Sequence, residues 1–204
     1  MAKKLAKLNS KVKKLVNFLL ETRILKYLPR ASLPYLKTPL KENVAEHSFY
    51  TAIIGWVLAE LESADKDKVI KMSLIHDLAE ARCGERNLIN KFYTQPPNEP
   101  KIIDEISKTY DLKSFEIREL FEEFWGEKSK ESKIVRDADI LAGMLLEKEV
   151  LDSGNEKARK WLITSLSRLK TQGGKNLGKL IYQVDSDRWW LEIVKKYLPF
   201  TKFL

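Results

Sequence analysis

One cysteine and two histidines are all that a chain of 204 residues supplies of the softer metal-binding and nucleophilic side chains. The lone Cys83 can form no internal disulfide and suggests no thiolate metal site, which points to a reducing, cytoplasmic setting. Long apolar runs are missing as well. The opening stretch, "MAKKLAKLNSKVKKLVNFLLETRIL", is broken by charge throughout and has no small-residue cleavage site, so it reads as neither signal peptide nor membrane span. No internal repeat, low-complexity linker or convincing alternating strand occurs, which leaves helices as the regular element of a single domain.

With 44% hydrophobic and 32% charged residues, the chain has enough apolar surface to fold as a globule without help from disulfides. The net charge of +8 is spread over lysines interleaved with glutamates, as on solvated helix faces. No dense Lys/Arg block with interleaved aromatics appears, so no stable nucleic-acid partner is expected. A modest positive potential favours a phosphorylated small molecule.

Leu15, Phe18, Leu19, Ile24 and Leu25 recur at near-helical spacing until Pro29 stops the first helix. The connector "PRASLPYLKTPLKE" is a loop. Asn43 and Glu46 form a capping-box pair, so the next helix begins at Val44 and, apolar almost all round, is expected to be central and buried. Asp65 caps a helix expected to run through Val69, Met72, Ile75 and Leu78 to a stop at Gly84. The stretch "ERNLINKFYTQPPNEP" is irregular and long enough for a lid or substrate loop. Helical patterns follow near 101–110, 114–125, 130–152, 155–170 and 176–198, with a Ser186 cap ahead of a tryptophan pair expected in the core or at a subunit contact. The expected fold is all-α: a compact single domain over 1–204, with its core at about 25–149 and C-terminal helices over 155–198 completing it.

Three segments put acids or histidines where buried helices should be apolar: "NVAEHSF" around His47, "LIHDLAE" around His76, and "RDADILAG" around Asp139. Burying such groups is costly unless they are paired or bind a cation, and one cation explains all three intrusions. Adjacent helical residues point about 100° apart, so His76 and Asp77 can straddle one ion, with His47 and Asp139 closing the set from other helices. Two imidazoles and two carboxylates suit a divalent transition ion such as Mn, Fe, Co, Ni or Zn. Glu80, one turn beyond His76, lies on the same face and can reach a water at the ion. An ion with an open position acidifies water and polarises a phosphoryl oxygen, which is hydrolytic chemistry.

The extended forms "ENVAEHS", "HDLAEARCGE" and "RDADILAG", in this order and at these separations, resemble the HD-domain metal-dependent phosphohydrolases, and within them the 5'-deoxynucleotidase branch. The resemblance covers about Leu25 to Glu149. It implies hydrolysis of a nucleoside 5'-monophosphate to nucleoside and phosphate by a homodimer, with metal ligands His47, His76, Asp77 and Asp139. It further implies that Glu80 orients or deprotonates the attacking water and that Arg30 grips the phosphate. Relatives carry a tryptophan soon after that arginine, where this chain has "ASLPY", and often Gly-Asp where this chain has Gly84 and Glu85. Glu85 keeps an acid there, one methylene longer, as a second candidate catalytic carboxylate. Both departures bear on substrate, not on metal. Competing readings are an HD-type hydrolase of a triphosphate, an alarmone or a cyclic nucleotide, a nucleic-acid-binding protein with a structural metal site, and a metal-stabilised scaffold without turnover.

Overall fold

A computed structural model of the protein describes residues 2–197. They form helices α1 (Ala2–Thr22), α2 (Val44–Leu61), α3 (Lys66–Ile75), α4 (Glu80–Cys83), α5 (Leu88–Tyr93), α6 (Glu99–Tyr110), α7 (Ile117–Gly126), α8 (Lys130–Asp152), α9 (Lys157–Arg168), α10 (Gln172–Gln183) and α11 (Arg188–Tyr197). Short 3-10 turns cover Arg23–Tyr27, Leu33–Leu36 and Lys113–Phe115. The described residues contain no strand, only an isolated antiparallel bridge between Pro29 and Asn43. No described helix is long and apolar enough to cross a membrane.

Two apolar clusters make the core. The larger one packs α2, α3 and α8 together, with α9 closing it through Ala158 and Leu162. The smaller one gathers Leu25, Val44, Leu78 and Ala79 with Ile103 and Ile106 of α6 and Ile117 and Phe121 of α7. Ile75 packs against both, so the residues that follow it lie at the seam. Close approach of α2 and α3 depends on Gly55, where a Cβ would meet Ser73 Oγ at 2.9 Å and Val69 Cγ1 at 3.0 Å.

The capping box at the head of α2 forms as expected: the Asn43 side chain accepts from the Glu46 amide at 2.9 Å, and Glu46 accepts from the Asn43 amide at 3.0 Å. Asp65 caps α3 through the Lys68 amide. Five expectations need correction. The helix expected to run from Asp65 to Gly84 ends at Ile75, and residues 76–79 turn tightly before α4, with Leu78, Glu80 and Arg82 amides donating to carbonyls three residues back. Apolar spacing barely distinguishes such turns from an α-helix. The irregular stretch after Glu85 contains α5, capped by Asn87. The pattern at 176–198 splits, because Val184 is extended and Ser186, instead of capping, donates its amide to Asp152; residue 198 lies outside the described residues. Trp189 and Trp190 are exposed rather than core.

The fifth correction concerns α2 itself. His47, Ser48, Thr51, Ala52, Leu58 and Ala59 are buried, yet Phe49, Ile53, Trp56, Val57 and Leu61 form an exposed apolar face. A helix that is apolar all round shows that both faces avoid water, not what covers the second one.

On α8, Glu147 is buried against α9, where Ser165 Oγ donates to Oε1 at 3.1 Å and Oε2 has no partner. Burial pushes this carboxyl up to about 7, and the Ser165 hydrogen bond and the Arg168 charge pull it back only in part. The folded chain therefore binds a proton that the unfolded chain has already lost, so stability falls as pH rises from about 4.5 to about 7 and stays low above that. Glu147→Gln is expected to stabilise the protein little near pH 5 and by up to about 3 kcal/mol at pH 8. Paired thermal melts at the two pH values check this; an equal shift at both would place the titration elsewhere.

Candidate metal centre

The site is assembled at the seam between the clusters, where three chain segments converge. α2 contributes His47, which is fully buried; its Nε2 lies 3.0 Å from Asp139 Oδ1 on α8 and 3.5 Å from Thr51 Oγ1. His76 caps the C-terminus of α3 and is buried, with Nδ1 donating to the Ser73 carbonyl of the last turn at 2.7 Å. That bond turns Nε2 into the site, 3.1 Å from Asp77 Oδ2 but without a well-aligned hydrogen bond of its own. His47, His76 and Asp77 each offer one ligand atom within 4.8 Å of the others. Asp139 joins them through its contact with the His47 imidazole.

This donor set fits a divalent ion of the mixed nitrogen and oxygen class: the imidazole nitrogens and carboxylate oxygens face one another in a buried space, and the His76 Nε2 atom is left without a hydrogen-bond partner.

Arg30 enters from the connector. Its guanidinium NH1 is 3.0 Å from Glu85 Oε1 and 3.7 Å from Asp77 Oδ2, while Nε is 3.7 Å from Glu42 Oε2. Glu85 also accepts from the Ala31 amide at 2.6 Å, so this acid is already engaged with the arginine and its backbone. Glu80 opens α4 with a buried Oε2 that has no partner. The structure thus links Arg30, Glu85, Asp77 and His76 by direct contacts and His47 with Asp139, and the two groups meet through Glu42 and at the cluster of His47, His76 and Asp77.

A sequence model of the HD domain matches residues 22–180. The chain belongs to the HD-domain family. The 5'-deoxynucleotidase HDDC2 of Mus musculus is 28% identical over 149 residues, covering 71% of this chain and 74% of that protein. The 5'-deoxynucleotidase YfbR of Salmonella newport strain SL254 is 28% identical over 138 residues, 61% of this chain and 68% of that one. Among solved structures, the PH0347 protein from Pyrococcus horikoshii OT3 superposes with a TM-score of 0.65 at 26% identity, covering 82% of this chain and 98% of that one.

The electrostatics of this HD domain are those of a crowded acidic pocket. Burial alone would lower the His76 imidazole, but the charges of Asp77 and Asp139 outweigh it and raise the group to about 9. Burial would raise Asp77 and Asp139, yet the facing histidines hold both below the usual carboxylate range. Glu80 has no such partner: burial, then the charges of Asp77 and Glu85, push it up to about 9. Burial also raises Glu85, with Arg30 and the Ala31 amide opposing.

Two residues at this site were not singled out by sequence reasoning. Glu42, the first residue of "ENVAEHS", contacts both His47 and Arg30. Arg136, the first residue of "RDADILAG", lies over the Phe124 ring at 4.0 Å and approaches Asp139 at 3.9 Å. Asp137 of the same segment is fully buried yet serves another purpose, accepting from the Lys170 and Thr171 amides and the Thr171 hydroxyl at the head of α10.

Proposed function

We propose that this HD domain is a metal-dependent phosphohydrolase that converts nucleoside 5'-monophosphates, deoxy ones foremost, to nucleoside and phosphate. The observation that carries the reading is the convergence of His47, His76 and Asp77 beside a guanidinium and an unpartnered carboxyl, Arg30 and Glu80. The names of the two relatives support the substrate class. His47, His76, Asp77 and Asp139 would hold a divalent ion, which when bound supplies Lewis acidity at phosphorus and favours deprotonation of water. Arg30 presents the donors for the phosphate oxygens, and Glu85 holds that guanidinium in place. Glu80 accepts a proton from the attacking water as the bond from phosphorus to the 5'-oxygen breaks, and can return it to the departing alcohol. The exposed apolar face of α2 supports assembly as a homodimer. A phosphate-release screen of metal-loaded protein against mono-, di-, tri- and cyclic nucleotides tests the substrate class. Release from monophosphates is expected to dominate, and dominant release from any other class would replace this reading with that one.

Arg30 gives a narrower test. Arg30→Ala is expected to weaken monophosphate binding by about 1.5–3 kcal/mol without changing metal content, because a charge-assisted pair with phosphate is lost while the ligands remain. Lysine should restore only part, lacking the planar fork. Calorimetric titration with a nucleoside monophosphate measures it, and an unaltered affinity in Arg30→Ala would remove this arginine from the phosphate site.

A further inference from the structure

The two ring nitrogens of His47 face different groups. Nε2 looks into the cluster of candidate ligands, whereas Nδ1 looks back toward the entry of α2, where Glu42 Oε2 stands 3.8 Å away. His47 Nδ1 and Glu42 Oε2 are both buried and neither has a hydrogen-bond partner. The same carboxylate oxygen is 3.7 Å from Arg30 Nε. Glu42 is held at this spot by its backbone: its carbonyl accepts from the Arg30 amide at 2.9 Å, and the Val44 amide donates to Leu28 at 3.0 Å. His76 meets the equivalent need differently, through the Ser73 carbonyl.

An imidazole that ligates through one nitrogen carries its proton on the other, and a buried proton without an acceptor is costly. The opposite tautomer would place the Nδ1 lone pair beside a carboxylate and turn the Nε2 proton toward Asp139, closing the ligand position. We propose that Glu42 is a positioning residue that accepts the Nδ1 proton of His47 and so holds Nε2 free for the cation, while its contact with Arg30 joins the ligand imidazole to the guanidinium. The cation in this statement rests on the metal-dependent reading above. A hydrogen bond between them requires the 3.8 Å separation to shorten to about 3 Å as the proton settles on Nδ1. The arrangement has the form of a carboxylate supporting a metal-bound histidine from outside the coordination sphere, where loss of the support typically costs about 10- to 100-fold in metal affinity.

The chain has only two histidines, so the test is spectroscopically simple. Zinc-loaded protein carrying 15N-labelled histidine is expected to show two slowly exchanging Nδ1 protons, with that of His47 far downfield. Glu42→Ala should move the His47 proton upfield or lose it to exchange, leave the His76 proton in place as a control for folding, and lower zinc affinity by about 10- to 100-fold. Glu42→Gln, whose amide oxygen can still accept, should keep the proton at a smaller downfield shift and recover part of the affinity; it also decides the matter if the alanine variant fails to fold. An unchanged His47 proton together with zinc affinity within about twofold of the parent, in whichever variant folds, would overturn the proposal. A parent protein that binds no zinc would overturn both this inference and the metal-dependent reading. A parent that binds zinc but releases no phosphate would remove the hydrolase reading and leave Glu42 in its role.

Discussion

Replacing His76 with alanine is expected to abolish metal binding and turnover together. Its Nε2 is buried without a hydrogen-bond partner, and Ser73 fixes the ring so that this atom has no other direction to face. No neighbour can substitute, because His47 already occupies the opposite side, with ring centroids 5.6 Å apart. In the metal-free protein the imidazole is raised to about 9, so at pH 7 it is an imidazolium facing Asp77. Metal uptake must displace that proton, and affinity is expected to rise with pH up to about 9. Calorimetric titration in buffers of different ionisation enthalpy should report about one proton released per ion in the parent. The melting temperature of the parent should also rise with metal and fall on chelation, by about 2.7 kcal/mol of stability at a free metal concentration 100 times the dissociation constant. His76→Ala should show neither response. A variant that still takes up metal with full stoichiometry would place the ion elsewhere.

Glu80→Gln is expected to keep the metal and lose roughly two to four orders of magnitude in turnover. Glutamine preserves shape and hydrogen bonding but cannot accept a proton. The carboxyl is raised to about 9 by burial and by the Asp77 and Glu85 charges, and a cation among His47, His76 and Asp77 would draw it back toward the ionised form that accepts a proton. The ion and the base are therefore expected to depend on one another. Near-normal turnover at full metal occupancy would exclude Glu80 as the base. Metal loss in the same variant would make Glu80 a ligand or an essential support for one.

Features governed by near neighbours were legible in the sequence. The Asn43 and Glu46 capping box needs only residues three apart, and the long helix expected at 130–152 is α8, whose Ser129 cap adjoins its first turn. The metal-ligand candidates were legible because both histidines fall in apolar segments beside acids, although Asp137 shows that a buried acid in such a segment can instead cap a helix. What could not be read was anything that depended on how segments meet. The break after Ile75 keeps the apolar spacing of a helix while changing which carbonyls the amides reach. The outer face of α2 is as apolar as the inner one, so exposure of Trp56 was invisible. Glu42 and Arg30 are twelve positions apart in the chain and are brought together by the short backbone pairing around Pro29 and Asn43, which no periodic pattern announces. Arg30 itself was singled out by resemblance, since an arginine in a proline-rich connector otherwise reads as surface charge.

In the proposed reaction, one divalent ion held by His47, His76, Asp77 and Asp139 makes this chain a nucleotide phosphohydrolase. Phosphate release from a deoxynucleoside 5'-monophosphate, followed while metal-stripped protein is titrated with manganese, cobalt or zinc, tests it most directly. Release should be absent at the start, climb with the first equivalent of an active metal and level off there. Equal release from stripped and loaded protein, or none from protein that has demonstrably bound one equivalent of each ion, would rule out this metal-dependent hydrolysis.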